Sequence, residues 1–289
     1  PLTEDYALKD ISFEFEEGKF YGLIGENGGG KTTLCSLIRG LIPHFYHGEL
    51  EGKAEVFGTD IRDHKAEELA VRIGYVFQNP FSQMSGVKNT VFEEIAMGLE
   101  NLGVEKKEIM QKVEEVCRLL NIEELMDKNP NELSGGQRQR VAFASIIVMD
   151  NDMLVIDEPT SQLDPHGTEN VFEIIRKLKE TGKTIILVEH KIDLIAEYCD
   201  EILVMEAGQI VCHGKTGEIL SSLELLDHNA MIPPAAMWGH EMKAAGKPLA
   251  AIPVTAAQAV EYARRRGGTA DGHWIGKRVI CLSQRICGK

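Results

Sequence analysis

One octapeptide limits what this chain can become. Gly25-Glu26-Asn27-Gly28-Gly29-Gly30-Lys31-Thr32 follows an apolar run, Phe20 to Ile24, and precedes a segment whose Leu34, Ile38 and Leu41 have helical spacing. It fits the pattern G-x-x-x-x-G-K-[ST] in its required setting, after a strand and before a helix. Glycines let successive backbone N–H groups turn inward around phosphate oxygens, and the helix N-terminus adds partial positive charge. In such a loop the lysine, Lys31, reaches the β- and γ-phosphates of a nucleotide, and the Thr32 hydroxyl can ligate Mg²⁺. The expected nucleotide-binding set is Gly25, Glu26, Asn27, Gly28, Gly29, Gly30, Lys31, Thr32 and Thr33.

A second feature completes the first. The run Met153-Leu154-Val155-Ile156 ends in Asp157-Glu158. A buried strand delivering a carboxylate at its tip can hold the magnesium through Asp157. Glu158 then stands where a base could polarise water against the γ-phosphate.

The rest of the pattern says how these pieces are framed. Residues 10–16 alternate apolar and polar, as a half-buried strand would, and a short strand is predicted at 54–57. After residue 150, strands at Met153 to Ile156, Thr184 to Val188 and Glu201 to Met205 alternate with helices at Asn170 to Lys179 and Ile192 to Tyr198. That order predicts a parallel sheet with crossover helices. Between them, Val91, Ile95 and Leu99, then Ile109, Val113, Val116, Leu119 and Leu120, make two amphipathic helical stripes. The block from about 88 to 148 therefore reads as a helical insert in an α/β core.

Composition narrows the partners. Residues 1–225 hold 22 Lys and Arg against 41 Asp and Glu, a balance of −19, whereas residues 226–289 hold 9 against 4, or +5. The acidic body argues against nucleic acid as a partner, since a phosphate-coating protein needs a basic face. The charge break, Pro233-Pro234 and Gly246-Lys247-Pro248 set 226–289 apart as a second segment. Within it Thr255 to Gln258 predicts a capping box opening a helix to Arg266, stopped by Gly267-Gly268. The six cysteines form no C-x-x-C pair, so buried reduced thiols are expected, and no second ligand pair accompanies Cys281 and Cys287. No run approaches the ~18 apolar residues that span a bilayer.

Leu133-Ser134-Gly135-Gly136-Gln137 narrows the field further. It opens a helix and offers a second anion-binding N-terminus. With this motif in place, residues 5 to 225 resemble an ABC (ATP-binding cassette) transporter ATPase. The implied fold is a P-loop NTPase (RecA-like) α/β core with an antiparallel β subdomain and an inserted helical subdomain. By that resemblance Ser134, Gly135, Gly136 and Gln137 are the signature that meets the γ-phosphate bound by the opposite subunit. Gln78, in Tyr75-Val76-Phe77-Gln78-Asn79-Pro80, resembles the Q-loop glutamine that senses Mg²⁺ and the attacking water. Asp164, in Ser161-Gln162-Leu163-Asp164, resembles the D-loop residue at the dimer interface, and His190 resembles the switch histidine that contacts the γ-phosphate. The implied catalytic set is Glu158, His190 and Gln78, and the implied magnesium ligands are Thr32, Gln78 and Asp157.

Finer likeness points to one branch. Phe77-Gln78-Asn79-Pro80, the run Val91 to Asn101, Thr160 to Pro165, and Val188-Glu189-His190-Lys191 are similar to the ATPases of energy-coupling-factor importers. The resemblance implies ATP and Mg²⁺ as cofactors and a second ABC ATPase domain as partner, in a homo- or heterodimer or fused in tandem. It also implies integral membrane transporter subunits, and a peripheral place on the cytoplasmic face of the cell membrane. Met231 to Tyr262 resembles the Pro-containing spacer between the halves of such fusions, so a second half is expected after Lys289. Pro1 falls on a family Pro that follows the adenine-stacking aromatic. That aromatic would then lie upstream of this chain, leaving Tyr6 as a weak substitute. Other readings left open are the ATPase of an ordinary ABC importer or exporter, and a soluble ABC protein acting on ribosomes or DNA.

Overall fold

The computed structural model describes residues 6–265 except 80, 81, 162 and 248. Its centre is a sheet of strands β1 (Phe20–Gly25), β4 (Ile73–Val76), β5 (Met153–Asp157), β6 (Thr184–Val188), β7 (Glu201–Glu206) and β8 (Gln209–Lys215), in the order β4-β5-β6-β1-β7-β8. The first five are mutually parallel, and β8 returns antiparallel to β7. Parallel strands covered on both faces must be apolar throughout, and Thr184–Val188 is buried at every position. The helices α1 (Lys31–Ile38), α7 (Pro165–Lys179) and α8 (Ile192–Tyr198) are the crossovers. Two apolar clusters sandwich the sheet. One holds Leu34, Ile38, Leu69, Tyr75 and Val155; the other holds Ile156, Leu187, Val171, Ile175 and Ile195.

The expected helical insert is present as α4 (Val91–Asn101), α5 (Lys106–Leu120) and α6 (Gly135–Ile147). Thr90 and Glu93 form a capping box at the start of α4, and Val91, Ile95, Leu99, Ile109, Val113 and Leu120 are buried. Each such side chain contributes about 2 kcal/mol on leaving water, so the stripes hold the insert together and join it to the core.

Two expectations about β structure need correction. Residues 10–16 form no strand. Ile11, Phe13 and Phe15 are half-buried and Ser12, Glu14 and Glu16 exposed, as the alternation requires. Yet side chains take nearby backbone donors: Glu16 N–H donates to the Tyr21 hydroxyl at 2.7 Å and Gly18 N–H to Thr184 Oγ1 at 2.9 Å. Phe13 and Phe15 pack edge-on against Tyr21. The strand at 54–57 shrinks to β2 (Glu55–Val56), paired with β3 (Thr59–Asp60) in a small antiparallel hairpin.

The segment after 225 does not stand off from the core. Ala230, Ile232, Ala236 and Val254 belong to the same apolar cluster as Leu187 and Ile195. Pro234 begins helix α10 (Pro234–Ala244), the first-turn position where proline lacks nothing it needs. Helix α11 (Ala256–Arg265) opens on the expected box, with Gln258 N–H donating to Thr255 Oγ1 at 3.3 Å. Its predicted end at Arg266, the Gly267-Gly268 stop, and Cys281 and Cys287 lie outside the described residues. No helix among the described residues is long and apolar enough to cross a membrane.

Gly25 joins the sheet to the loop, and a test follows from its geometry. Its φ is +138°, and a Cβ there would sit 2.0 Å from the Met205 carbonyl oxygen on β7. At Gly28 (φ +82°) a Cβ would meet open space. Gly25→Ala should therefore cost at least about 3 kcal/mol in urea unfolding, from strain plus overpacking. Gly28→Ala should cost only about 1 to 2 kcal/mol, from backbone conformation alone.

Candidate active site

The site gathers at the C-terminal ends of four adjacent strands, β4, β5, β6 and β1, where open α/β sheets bind ligands. After β1 the chain wraps around the Lys31 side chain. Gly25 and Gly30 take left-handed backbone, and Lys31 Nζ donates to the carbonyls of Gly25 and Glu26, both at 2.9 Å. Lys31 is buried. Burial lowers its pKa, and the carboxylates of Glu158 and Asp157 oppose that shift. Asn27, Gly28 and Thr32 face outward, while Gly29 is buried and Thr33 half-buried. A cation held by two neutral carbonyls has donor capacity left over for an anion. Gly29 N–H turns back to Glu26 O at 3.2 Å, which tightens the loop.

Asp157 ends β5 beside Lys31. Its Oδ2 accepts from the Tyr75 hydroxyl at 2.9 Å, while its Oδ1 is buried without a partner. Burial raises its carboxyl above the ordinary value, and the Glu158 charge adds to that. The hydroxyls of Tyr75 and Thr32 and the Lys31 cation pull the other way. An orphaned buried carboxylate oxygen next to a threonine hydroxyl suits a hard divalent cation, bound directly or through water. The residues present fit such an ion.

The chain then breaks into left-handed backbone at Glu158 (φ +46°), which costs about 1 to 2 kcal/mol for a residue with a Cβ. Glu158 N–H still donates to Val188 O at 2.9 Å, so β5 and β6 stay in register to this point. The turn aims the carboxylate back over the strand ends. Gln78 Nε2 donates to Glu158 Oε2 at 2.7 Å, and His190 Nε2 lies 2.9 Å from Oε1. Three residues from three loops, at positions 78, 158 and 190, thus form one hydrogen-bonded set. A carboxylate held by two side chains, next to a buried lysine and an orphaned carboxylate oxygen, can orient and polarise a water against a bound phosphate.

Ser134 caps α6 in a capping box with Gln137, its Oγ accepting from Gln137 N–H at 3.4 Å. Ser134 and Gly135 are exposed, and Gly136 lies against Gly167 in the first turn of α7. The structure therefore sets this motif beside the segment carrying Asp164. Asp164 caps α7 by accepting from Gly167 N–H at 2.7 Å. Tyr6, the expected weak substitute for an adenine-stacking aromatic, is half exposed and bonds to Glu51.

Two groups escaped the sequence reading. Tyr75 sits in an apolar run and gives no local sign that its hydroxyl meets Asp157. Glu189 is buried, with Oε1 accepting from Thr160 Oγ1 at 2.6 Å. A charged residue immediately after the apolar run Ile185 to Val188 was the available signal.

Comparison with known proteins identifies the family and the fold. A family described as ABC transporter matches residues 8–161. A Pyrococcus abyssi protein assigned as an ABC transporter ATP-binding protein is 44% identical over 246 residues, 84% of this chain and 87% of its own. The energy-coupling factor transporter ATP-binding protein EcfA2 of Acetivibrio thermocellus is 38% identical over 233 residues, 80% of each chain. Among solved structures, cbiO1 of Clostridium perfringens, part of the ABC transporter complex cbiONQ, superposes with a TM-score of 0.67 at 31% identity, covering 76% of this chain and 86% of its own. A dimeric ATP-binding cassette in a post-hydrolysis state, bound to ADP and Pi, gives 0.64 at 27% identity, covering 75% and 94%.

The unpaired Asp157 oxygen predicts a pH effect on the ligand-free protein. A raised carboxyl pKa means the folded state holds the proton more tightly than the unfolded one. The stability this provides is present below the ordinary carboxylate range and is lost as pH rises through the elevated value. At neutral pH, without ligands, Asp157→Asn should unfold at a higher temperature than the wild type. The gap should close as the pH is lowered into the carboxylate range.

Proposed function

This chain belongs to the ABC transporter family as an ATP-binding cassette of the ATPase type, and we propose that it energises an importer of the energy-coupling-factor type, taking up a vitamin or a transition-metal ion. The observation that carries the ATPase chemistry is the hydrogen-bonded set Gln78, Glu158 and His190 over Lys31 and Asp157. The importer type is supported by the relative EcfA2, by cbiO1, and by the resemblance at residues 160–165 and 188–191.

In this reading the loop from Gly25 to Thr33 holds the phosphates, with Lys31 at the β- and γ-positions. Glu158 polarises the attacking water. Gln78 and His190 hold its carboxylate in place, and His190 also turns toward the γ-phosphate. Mg²⁺ would be held by Thr32, Asp157 and Gln78, and when bound it neutralises charge on the β- and γ-phosphates. Most of the rate enhancement comes from positioning and electrostatics.

The exposed N-terminus of α6, with Ser134, Gly135, Gly136 and Gln137, completes the ATP site of a second ATPase domain, and Asp164 lies at that interface. The second domain is another copy, a different subunit, or a fused half of a longer protein. The dimeric cassette with ADP and Pi supports this arrangement. Closing of the two domains then acts through the Gln78 region on integral membrane subunits, which hold the chain at the cytoplasmic face of the membrane.

Glu158→Gln tests the chemistry. It should keep ATP binding and gather ATP-bound dimers, while steady-state phosphate release falls by roughly 100-fold or more. Phosphate release at the wild-type rate would overturn the role of Glu158. Affinity purification from detergent-solubilised membranes tests the importer type. A small substrate-binding membrane subunit should co-purify with a shared membrane subunit, whereas recovery with ribosomes and no membrane protein would reject a transport role.

A further inference from the structure

The switch histidine of the proposed site is only lightly held. The His190 side chain is 43% exposed, and its hydrogen-bond partner is Glu158. Its orientation must therefore follow the backbone of residues 189–191. Both flanking residues are tied to the segment that carries Asp164. On one side Glu189, 4% exposed, accepts from Thr160 Oγ1 at 2.6 Å, and Thr160 is itself 2% exposed. On the other, Lys191 Nζ donates to Thr168 Oγ1 at 2.7 Å in the first turn of α7. Thr160 lies in the loop between β5 and α7, and Thr168 lies in the first turn of α7 that follows it. Within that loop Ser161 N–H turns back to Glu158 O, Leu163 N–H to Thr160 O, and Asp164 caps the helix.

We propose that the Thr160–Glu189 and Lys191–Thr168 bonds form a clamp, with Glu189 as a positioning residue that sets His190 against Glu158 and passes movement of residues 160–168 on to it. The inference rests on the catalytic reading of Glu158 and His190 given above, and it assigns Glu189, Thr160, Lys191 and Thr168 a part in it. Packing alone gives a poor reason for a carboxylate at position 189. Burial raises its carboxyl, with the Thr160 hydroxyl the strongest opposing group, so an apolar residue would fill the space at less cost. What the carboxylate adds is direction: a short bond from the end of β6 to the start of the loop that leaves β5. Because Glu158 N–H is fixed to Val188 O, the clamp spans the two loops just beyond the last ladder bond. A shift of Asp164 on meeting a second domain would pull on both sides of His190 together.

The test compares Thr160→Val, Thr160→Ser, Glu189→Gln and Lys191→Met with the wild-type chain in its dimeric assembly. Steady-state ATPase and thermal unfolding are measured for each. Thr160→Val should lower kcat by roughly 10-fold to 100-fold, the effect of a misplacement at the reacting atoms, with the KM for ATP changed by no more than about twofold. Thr160→Ser, which keeps the hydroxyl, should restore most of the rate, and Glu189→Gln, which keeps an acceptor oxygen, should retain most of it. Lys191→Met, at an exposed position, should show a smaller loss confined to kcat, and it serves if Thr160→Val does not fold. A folded Thr160→Val with wild-type kcat would overturn the clamp. So would kcat and KM moving together with no rescue by serine, the pattern of a merely structural bond. A wild-type assembly without ATPase activity would overturn the catalytic reading and the clamp together, which separates the two failures.

Discussion

Everything in this site is arranged around one buried cation. Lys31 lies inside the loop that leaves β1, held by two main-chain carbonyls at 2.9 Å and facing two acids it does not pair with directly. Burial works against its charge, and the nearby carboxylates of Glu158 and Asp157 only oppose that shift. A bound polyphosphate would supply further countercharge. The glycines at 25 and 30 exist in this light as geometry: only left-handed backbone bends the loop tightly enough for its own carbonyls to reach the ammonium.

Asp157 shows the same logic with the opposite sign. It is buried, raised in pKa and left with an unpaired oxygen, in a place where a divalent cation would satisfy it. The parallel sheet makes such a pairing of unsatisfied charges possible. Strands β4, β5, β6 and β1 are neighbours, so the loops after them converge on one edge without any residue having to reach far. Gln78, Glu158 and His190 stand one or two positions beyond the ends of β4, β5 and β6, and Lys31 opens α1 at the far end of the loop that leaves β1. The strain at Glu158, with its φ of +46°, is the local cost of turning a strand-end carboxylate over that edge.

Much of this was legible because it is local. The apolar pattern located Thr184–Val188 and Ile192–Tyr198 to the residue, a helix opens at Ser134 as expected, and the capping box at Thr255 formed as its spacing implied. What escaped depends on partners distant in sequence. Residues 10–16 have the burial alternation of a strand but no ladder among the described residues, since alternation reports which side is covered and not what the backbone bonds to. Strand β8, Gln209–Lys215, is half-buried at most on its edge, and its apolar run is only Ile210 to Cys212. Pro233-Pro234 reads as a loop until the second proline is seen to start α10. Tyr75 meets Asp157 across 82 positions of sequence, a contact that only the sheet order creates. The charge break near residue 226 is real, yet the residues beyond it bury Ala230, Ile232 and Ala236 in the main core.

The central claim is that the cup around Lys31 is a phosphate site whose cation is poorly satisfied until its ligand arrives. Thermal unfolding with and without Mg-ATP and Mg-tripolyphosphate, in the wild type and in Lys31→Met, tests it most directly. The account predicts that the ligand-free variant is at least as stable as the wild type, since a buried charge has been removed. It also predicts that both ligands raise the wild-type midpoint and that neither raises that of the variant. Equal ligand-induced shifts in the two proteins would contradict it.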